Sequence, residues 1–291
     1  MDVYLVDGTY ELFRHFFGVP SHVTKDGREV AATRGVLGSV LGMLEGGATH
    51  VGVATDKVIE SFRNSMWAGY KTGAGVDPQL MAQFPLLEEG LEAMGVTVWP
   101  MLELEADDGL AAAAKSAASW PGIARVYLCT PDKDMAQLVE DRIVMLNRRT
   151  QVVMDEAGVI EKFGVPPRSI PDYLALVGDS ADGYPGLPGF GARTAAALLA
   201  RYGSIEGIPD DWTQWDVGVR GGERLSGTLA GKRELALLFR DLATLRTDSP
   251  VLTSPDELRW TGPRDDFESF CRRVEAPGMV KRACAAATRA A

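Results

Sequence analysis

Three short apolar runs, each leading directly into an acidic residue or a turn that carries one, constrain the fold more than any other feature of this chain. Val3-Tyr4-Leu5-Val6 runs into Asp7, Val51-Gly52-Val53-Ala54-Thr55 into Asp56, and Val126-Tyr127-Leu128-Cys129 into Thr130-Pro131-Asp132. Short β-branched runs bounded by turn residues have the character of buried strands in a parallel sheet. Strand patterns at 3–7, 50–55, 96–99, 124–130 and 142–146 alternate with helical patterns near 31–45, 79–94, 105–118 and 132–139. That alternation predicts an α/β domain with a mostly parallel sheet. From about Asp155 helical patterns take over, at 155–163, 169–177, 192–201, 222–240 and 266–275, with an Ala-rich helix end over Ala283–Ala291. The expected organisation is a sheet-centred core over 1–165 followed by a helical subdomain and C-terminal extension over 166–291.

Open α/β sheets place their ligands at the carboxyl ends of the strands. Asp7 and Asp56 belong there. Further acids gather in Glu105-Ala106-Asp107-Asp108, in Asp132 and Asp134, and in Asp179 and Asp182, making nine carboxylates in five short signals. Collected at one sheet edge, they would repel one another and raise their own pKa values unless cations sat between them. Hard divalent ions take oxygen ligands, and Mg²⁺ held by carboxylates usually accompanies phosphate chemistry. Each signal also has an ordinary alternative. Acids in a first helical turn suit the helix dipole, Asp132 could be a plain N-cap, and Gly178–Gly183 could be a plain turn. Their joint occurrence points to a metal-dependent enzyme acting on phosphoryl groups.

Composition sets bounds on this expectation. A chain of 291 residues with 46% apolar content can bury a substantial core. It has no apolar run of the ~18 residues that a membrane span needs. Three cysteines form no CxxC pair, which supports neither a zinc site nor a disulfide framework and makes a reducing cytoplasm the expected location. The three histidines show no ligand spacing. A net charge of −10 looks hostile to nucleic acid, but residues 183–291 hold 15 Lys and Arg against 14 Asp and Glu. The acidity is concentrated in the clustered carboxylates, leaving the C-terminal part free to carry a basic surface.

Two more segments stand out. Residues 69–101 open with the flexible run Gly69-Tyr70-Lys71-Thr72-Gly73-Ala74-Gly75 and continue into an amphipathic stretch with Leu80, Phe84, Leu87, Leu91 and Met94. This is either a gateway beside the acidic edge or an ordinary crossover helix with a loose loop. The run Pro185-Gly186-Leu187-Pro188-Gly189-Phe190-Gly191 opens a helix rich in alanine. Backbone amides at such a start can meet a phosphate, and a tight turn between packed helices is the alternative.

With these motifs in place, the chain resembles the 5′-nuclease family: the 5′→3′ exonuclease domain of bacterial DNA polymerase I, phage 5′ exonucleases and flap endonucleases. The resemblance covers most of residues 2–250 and rests on Leu5-Val6-Asp7-Gly8, Asp56 with Ser61-Phe62-Arg63, Gly69-Tyr70-Lys71, Glu105-Ala106-Asp107-Asp108, Thr130-Pro131-Asp132-Lys133-Asp134, and Gly178-Asp179 through Thr194-Ala195. It implies a PIN-like nuclease core, with the gateway at about 69–101, joined to a helix-three-turn-helix (helix-hairpin-helix-type) DNA-binding subdomain in a free-standing member. It implies one metal set on Asp7, Asp56, Glu105 and Asp107 with Asp108 nearby, and a second on Asp132, Asp134, Asp179 and Asp182. The implied cofactors are two or more Mg²⁺, with Mn²⁺ as a substitute, and K⁺ at the helix-hairpin-helix turn. Lys71 matches a lysine that stabilises charge on the scissile phosphate, Arg63 a phosphate contact, and Tyr70 an aromatic that stacks on the terminal base. Gly189, Gly191, Arg193 and Thr194 match the duplex-binding turn. The implied substrate is DNA with single-strand/double-strand junctions (5′ flaps, nicks or recessed 5′ ends), cleaved by a monomer with no obligate protein partner and no membrane association. A non-catalytic DNA-binding relative and a PIN-type ribonuclease are the alternatives. The chain departs from the family at Ala74, usually arginine, at Gly183, often asparagine, and at Arg193, often lysine. Residues 76–95 contain no Lys or Arg with which to grip a single strand.

Overall fold

The computed structural model describes residues Met1–Ala290. Its strands are β1 (Asp2–Asp7), β2 (His50–Asp56), β3 (Thr97–Met101), β4 (Arg125–Cys129), β5 (Ile143–Asn147) and β6 (Val152–Met154). Its helices are α1 (Gly8–Gly18), α2 (Ala31–Glu45), α3 (Arg63–Met66), α4 (Pro78–Met81), α5 (Gln83–Ala93), α6 (Ala106–Ser119), α7 (Glu156–Phe163), α8 (Ile170–Val177), α9 (Ala192–Tyr202), α10 (Gly222–Ala243), α11 (Phe267–Arg273) and α12 (Gly278–Ala290). The last residue of the expected Ala283–Ala291 helix end lies outside the described residues. No described helix is long and apolar enough to cross a membrane.

The chain forms two compact units. The first takes residues 1–59, 73–130 and those from Arg246 onward. Its strands pair in parallel, β1 lying between β2 and β4 and β2 continuing to β3. Every residue of β2 is buried, as expected of a strand covered on both faces. Helix α6 packs on the strands, and its Ala111, Ala113, Ala114 and Ala117 are all fully buried. Small side chains let the helix approach the sheet closely. Gly8 serves the same end at the start of α1, where a Cβ would stand 2.7 Å from Thr55 Cγ2 and 2.8 Å from the Ala54 carbonyl.

From residue 73 onward, the segment left open between gateway and crossover packs in this unit. It breaks at Ala82 into α4 and α5, and Leu80, Phe84, Leu87 and Leu91 are at most 2% exposed. Glu88 is also buried, accepting hydrogen bonds from Thr55 Oγ1 at 2.9 Å and Lys57 Nζ at 2.6 Å. Those bonds fasten α5 to the end of β2. Residues 74–79, running from the loop into α4, are exposed apart from half-buried Val76.

The second unit takes residues 60–72 and 131–245. It holds the antiparallel hairpin β5–β6 and helices α3 and α7–α10. Residues 133–138, expected as an ordinary helix, form a 3₁₀ helix (Lys133–Leu138) capped by the Asp132 side chain on the Asp134 amide. An aromatic core joins Trp67, Phe239 and Tyr184: Trp67 meets Phe239 edge-on at 5.1 Å, and Tyr184 stacks on Phe239 at 5.5 Å.

Candidate metal centre

In the first unit, the acidic residues sit at the carboxyl edge of the parallel strands. Asp7 ends β1 and pairs in register with Ala54, two residues before Asp56 ends β2. The Asp7 carboxylate is held from two sides: Oδ1 accepts the Tyr10 amide at 2.8 Å and Oδ2 accepts Thr130 Oγ1 at 2.9 Å. Asp56 Oδ1 accepts the Ala106 amide at 2.7 Å, which ties the end of β2 to the start of α6, where Glu105 and Asp107 lie. Glu105 and Asp108 form a capping box. Asp108 is corrected from the sequence expectation. It is fully buried, Oδ2 accepts the Glu105 amide at 3.0 Å and Oδ1 accepts the Arg246 amide at 2.9 Å. With both oxygens accepting backbone N–H groups, its carboxylate is a cap and a staple.

In the second unit, Asp134, Asp179 and Asp182 converge, each offering an oxygen within 4.8 Å of the others. The 3₁₀ helix presents Asp134. A bridge fixes Asp179, whose amide donates to the Tyr184 carbonyl at 2.8 Å while the Tyr184 amide donates back at 3.0 Å. Asp132 is exposed and stands outside this triad, although its charge acts on Asp134. Burial pushes the Asp134 carboxyl well above its ordinary range, and Asp132, Asp182 and Asp179 push it further the same way. This is the electrostatic cost expected of gathered acids. Two lysines offset part of it: Lys133 Nζ lies 2.9 Å from Asp179 Oδ2, and Lys71 Nζ lies 2.9 Å from Asp182 Oδ1.

Asp134 Oδ1 is buried and has no hydrogen-bond partner among the described residues. A buried carboxylate oxygen in that state is costly. Oxygen-only donors from three close carboxylates suit a hard divalent cation, so the donor set fits one.

Lys71 reaches the cluster through a close backbone crossing. Its amide donates to the Asp182 carbonyl at 3.0 Å, and a Cβ on Gly183, at φ +83°, would stand 2.1 Å from the Gly69 carbonyl oxygen. The departure from the family at Gly183 thus admits the Gly69–Lys71 segment. Two other expectations for this segment need correction. Arg63 is 1% exposed, with Nε donating to the Leu242 carbonyl at 2.8 Å and Nη2 to the Thr244 carbonyl at 3.2 Å. Its guanidinium serves the carbonyl end of α10, where a cation suits the helix dipole, and is not presented to a phosphate. Tyr70 is 3% exposed, with Lys71 Nζ 5.6 Å from its ring centre, so its face offers no stacking surface for a base in this conformation.

The Gly189–Gly191 turn is at the surface. Gly189 has φ +90° and lies near Leu225 and Arg224, whereas Gly191 caps α9 with φ −98° and open space where a Cβ would go. The need for glycine falls on Gly189 rather than on Gly191. Arg193 is exposed and Thr194 half-buried in the first turn of α9.

Sequence reasoning missed Lys133 and Tyr184 as members of this site. Lys133 was visible between two acids. Tyr184 carried no pattern, because only the bridge to Asp179 brings it there.

Residues 2–164 match the family model for the 5′-3′ exonuclease N-terminal resolvase-like domain, and residues 165–266 that for the 5′-3′ exonuclease C-terminal SAM fold. The chain is 34% identical over 285 residues to a 5′-3′ exonuclease of Aquifex aeolicus, covering 96% of this chain and 94% of that protein. It is 35% identical over 264 residues to DNA polymerase I of Pseudomonas aeruginosa, covering 87% of this chain but only 28% of the polymerase. Among solved structures it is similar to the bacteriophage T5 flap endonuclease in a pseudo-enzyme–product complex with DNA and metal ions, with a TM-score of 0.65, 18% identity, and coverage of 100% of this chain and 98% of that one. That likeness extends the shared fold across the whole chain. By the span of the family models and the near-complete match to the Aquifex protein, the chain belongs to the 5′-3′ exonuclease family.

Proposed function

We propose that this chain is a divalent-metal-dependent, structure-specific 5′-nuclease that hydrolyses DNA phosphodiesters at single-strand/double-strand junctions. The observation that carries this proposal is the convergence of Asp134, Asp179 and Asp182 around a buried, unpartnered carboxylate oxygen in a member of the 5′-3′ exonuclease family. These three residues would hold one cation, with the exposed Asp132 beside them. Asp7, Asp56, Glu105 and Asp107, at the sheet edge of the first unit, are the candidates for a second. Bound divalent ions supply Lewis acidity and a stronger nucleophile in phosphodiester hydrolysis. Mg²⁺ is the proposed ion, with Mn²⁺ able to replace it.

The chain's own residues then have distinct tasks. Lys71, half-buried and paired with Asp182, is a cation placed to turn toward a phosphate once Asp182 has another counter-charge. Lys133 balances Asp179. Thr130 and the Tyr10 amide hold Asp7 in one orientation, so no reorganisation is needed when a ligand arrives. The Gly189–Gly191 turn, with Arg193 and Thr194 at the start of α9, is the proposed contact to a duplex backbone and the proposed K⁺ site. We assign the nuclease core to 1–165 and the start of the DNA-binding subdomain to residue 166, a division supported by the two family matches meeting at residues 164 and 165, with the chain from Arg246 onward returning to the sheet unit.

Product mapping with Mg²⁺ on 5′-flap, nicked, recessed, blunt and RNA substrates tests this proposal. Cleavage at the junction of flap, nicked or recessed DNA is expected. Cleavage confined to RNA, or binding without any cleavage, would contradict it.

A further inference from the structure

Acidic side chains outnumber basic ones in this chain, 40 to 30, and three arginines of α9 and α10 are held by carboxylates. Arg201 pairs with Asp216 at 2.5 Å, Arg233 with Asp210 at 2.5 Å, and Arg240 with Glu206 at 2.7 Å and Asp172 at 3.4 Å. Arg224, in the first turn of α10, is not held in this way. It is exposed, and its guanidinium has no hydrogen bond or ion pair among the described residues. The residues three and four positions away are Arg220, Gly221, Gly227 and Thr228, so no acid beside it on the helix can reach it. The guanidinium lies instead against the Gly189–Gly191 turn. A Cβ on Gly189 would stand 3.4 Å from Arg224 Nη2, 3.8 Å from Arg224 Cζ and 3.3 Å from Leu225 Cδ2. Leu225 is buried, so the first turn of α10 packs on the glycine turn while Arg224 stays at the surface. Gly189, at φ +90° and without a side chain, leaves the charged group beside bare, exposed backbone.

We infer that Arg224 contacts the DNA backbone, its guanidinium and the amides of the Gly189–Gly191 turn taking the same phosphodiester of the duplex. The inference rests on the duplex contact proposed above and names a side-chain cation that this contact uses. Backbone amides donate directed hydrogen bonds but carry only partial charges. A guanidinium adds a full charge and a planar fork of donors suited to two phosphate oxygens. Arg224 breaks no internal pair when a phosphate arrives, whereas Arg201, Arg233 and Arg240 would each have to leave a carboxylate.

The test uses the full chain and fluorescein-labelled blunt duplexes of two unrelated sequences, with Ca²⁺ in place of Mg²⁺. Affinity is followed by fluorescence anisotropy across a KCl series. Arg224→Gln, Arg224→Lys, Arg201→Gln, Gly191→Val and the Arg224→Gln/Gly191→Val double variant are compared with wild type. Arg224→Gln is expected to bind both duplexes more weakly by the same factor, because a phosphate contact carries no sequence information. Its plot of log affinity against log salt should be shallower by about one, the share of a single phosphate contact. Its deficit should therefore shrink about 3.5-fold between about 50 and 200 mM KCl. Arg224→Lys keeps the charge and should keep the wild-type slope, as should Arg201→Gln, whose cation is already paired with Asp216. In the Gly191→Val background Arg224→Gln should have little further effect, since two groups on one phosphate are non-additive. A residue serving structure alone would lower the melting temperature and leave the salt slope unmoved. Wild-type slope in a folded Arg224→Gln protein, with wild type binding duplex, would overturn the role of Arg224 and leave the duplex contact standing. No duplex binding by wild type would overturn that contact, and the inference with it.

Discussion

Arg63 and Lys71 lie eight residues apart, and the fold gives them opposite tasks. Arg63 carries its charge inside the second unit, where its guanidinium satisfies carbonyls at the end of α10. Arg63→Ala would leave those carbonyls unpaired in the interior, so it should cost about 3 kcal/mol in urea unfolding. Lys71 is partly exposed and its pair with Asp182 is a near-surface one. Lys71→Ala should change stability by no more than about 1 kcal/mol, while slowing single-turnover cleavage about 10²–10³-fold. If the two variants exchanged these phenotypes, both assignments would be wrong. A sequence places a cation along the chain but does not give its depth. That is why the task of Arg63 was not legible: its guanidinium meets the carbonyls of Leu242 and Thr244, far along the chain.

Elements were legible where periodicity was strong and were lost where tertiary packing decides. The strands ending on Asp7 and Asp56 and the helix 31–45 stand where their patterns predict. Helix α1 was missed because Gly8-Thr9-Tyr10 is a poor helix start by propensity. It forms because Asp7 caps it and its buried face packs on α2. Strand β6 is only three residues long, too short to give an alternation. At the Gly189–Gly191 turn, local geometry separates the two glycines. Gly189→Val forces a β-branched residue to φ +90° and should cost about 1–2 kcal/mol. Gly191→Val fills open space at an extended position and should fold normally. If the turn meets a duplex through its amides, Gly191→Val should still weaken duplex binding in fluorescence anisotropy with Ca²⁺. Wild-type affinity in a folded Gly191→Val protein would remove the turn from the interface.

At the scale of the whole molecule, order along the chain and grouping in space differ. The sequence suggests a single change of character near residue 165. Contacts instead return the chain to the sheet unit from Arg246 onward, where α11 packs on α5, α12 packs on α2, and the Arg246 amide meets Asp108. No periodic signal marks such a return, because it depends on which surfaces are left uncovered after the sheet has formed. The candidate centre was more legible than the unit boundaries. Its chemistry is written in acidic residues at short spacing, and only their company, Lys133 and Tyr184, needed the fold to be seen. The proposed nuclease activity requires the Asp134–Asp179–Asp182 cluster to hold the cation that cleavage needs. The most direct measurement is single-turnover cleavage of an end-labelled 5′-flap substrate across a Mg²⁺ titration, for wild type and Asp134→Asn, with the melting temperature of each metal-free protein alongside. The predicted result is cleavage slower by about 10²-fold or more at every Mg²⁺ concentration, in a variant that melts at or above wild type because a repelled, buried charge has been removed. Wild-type cleavage by a folded Asp134→Asn protein would contradict it.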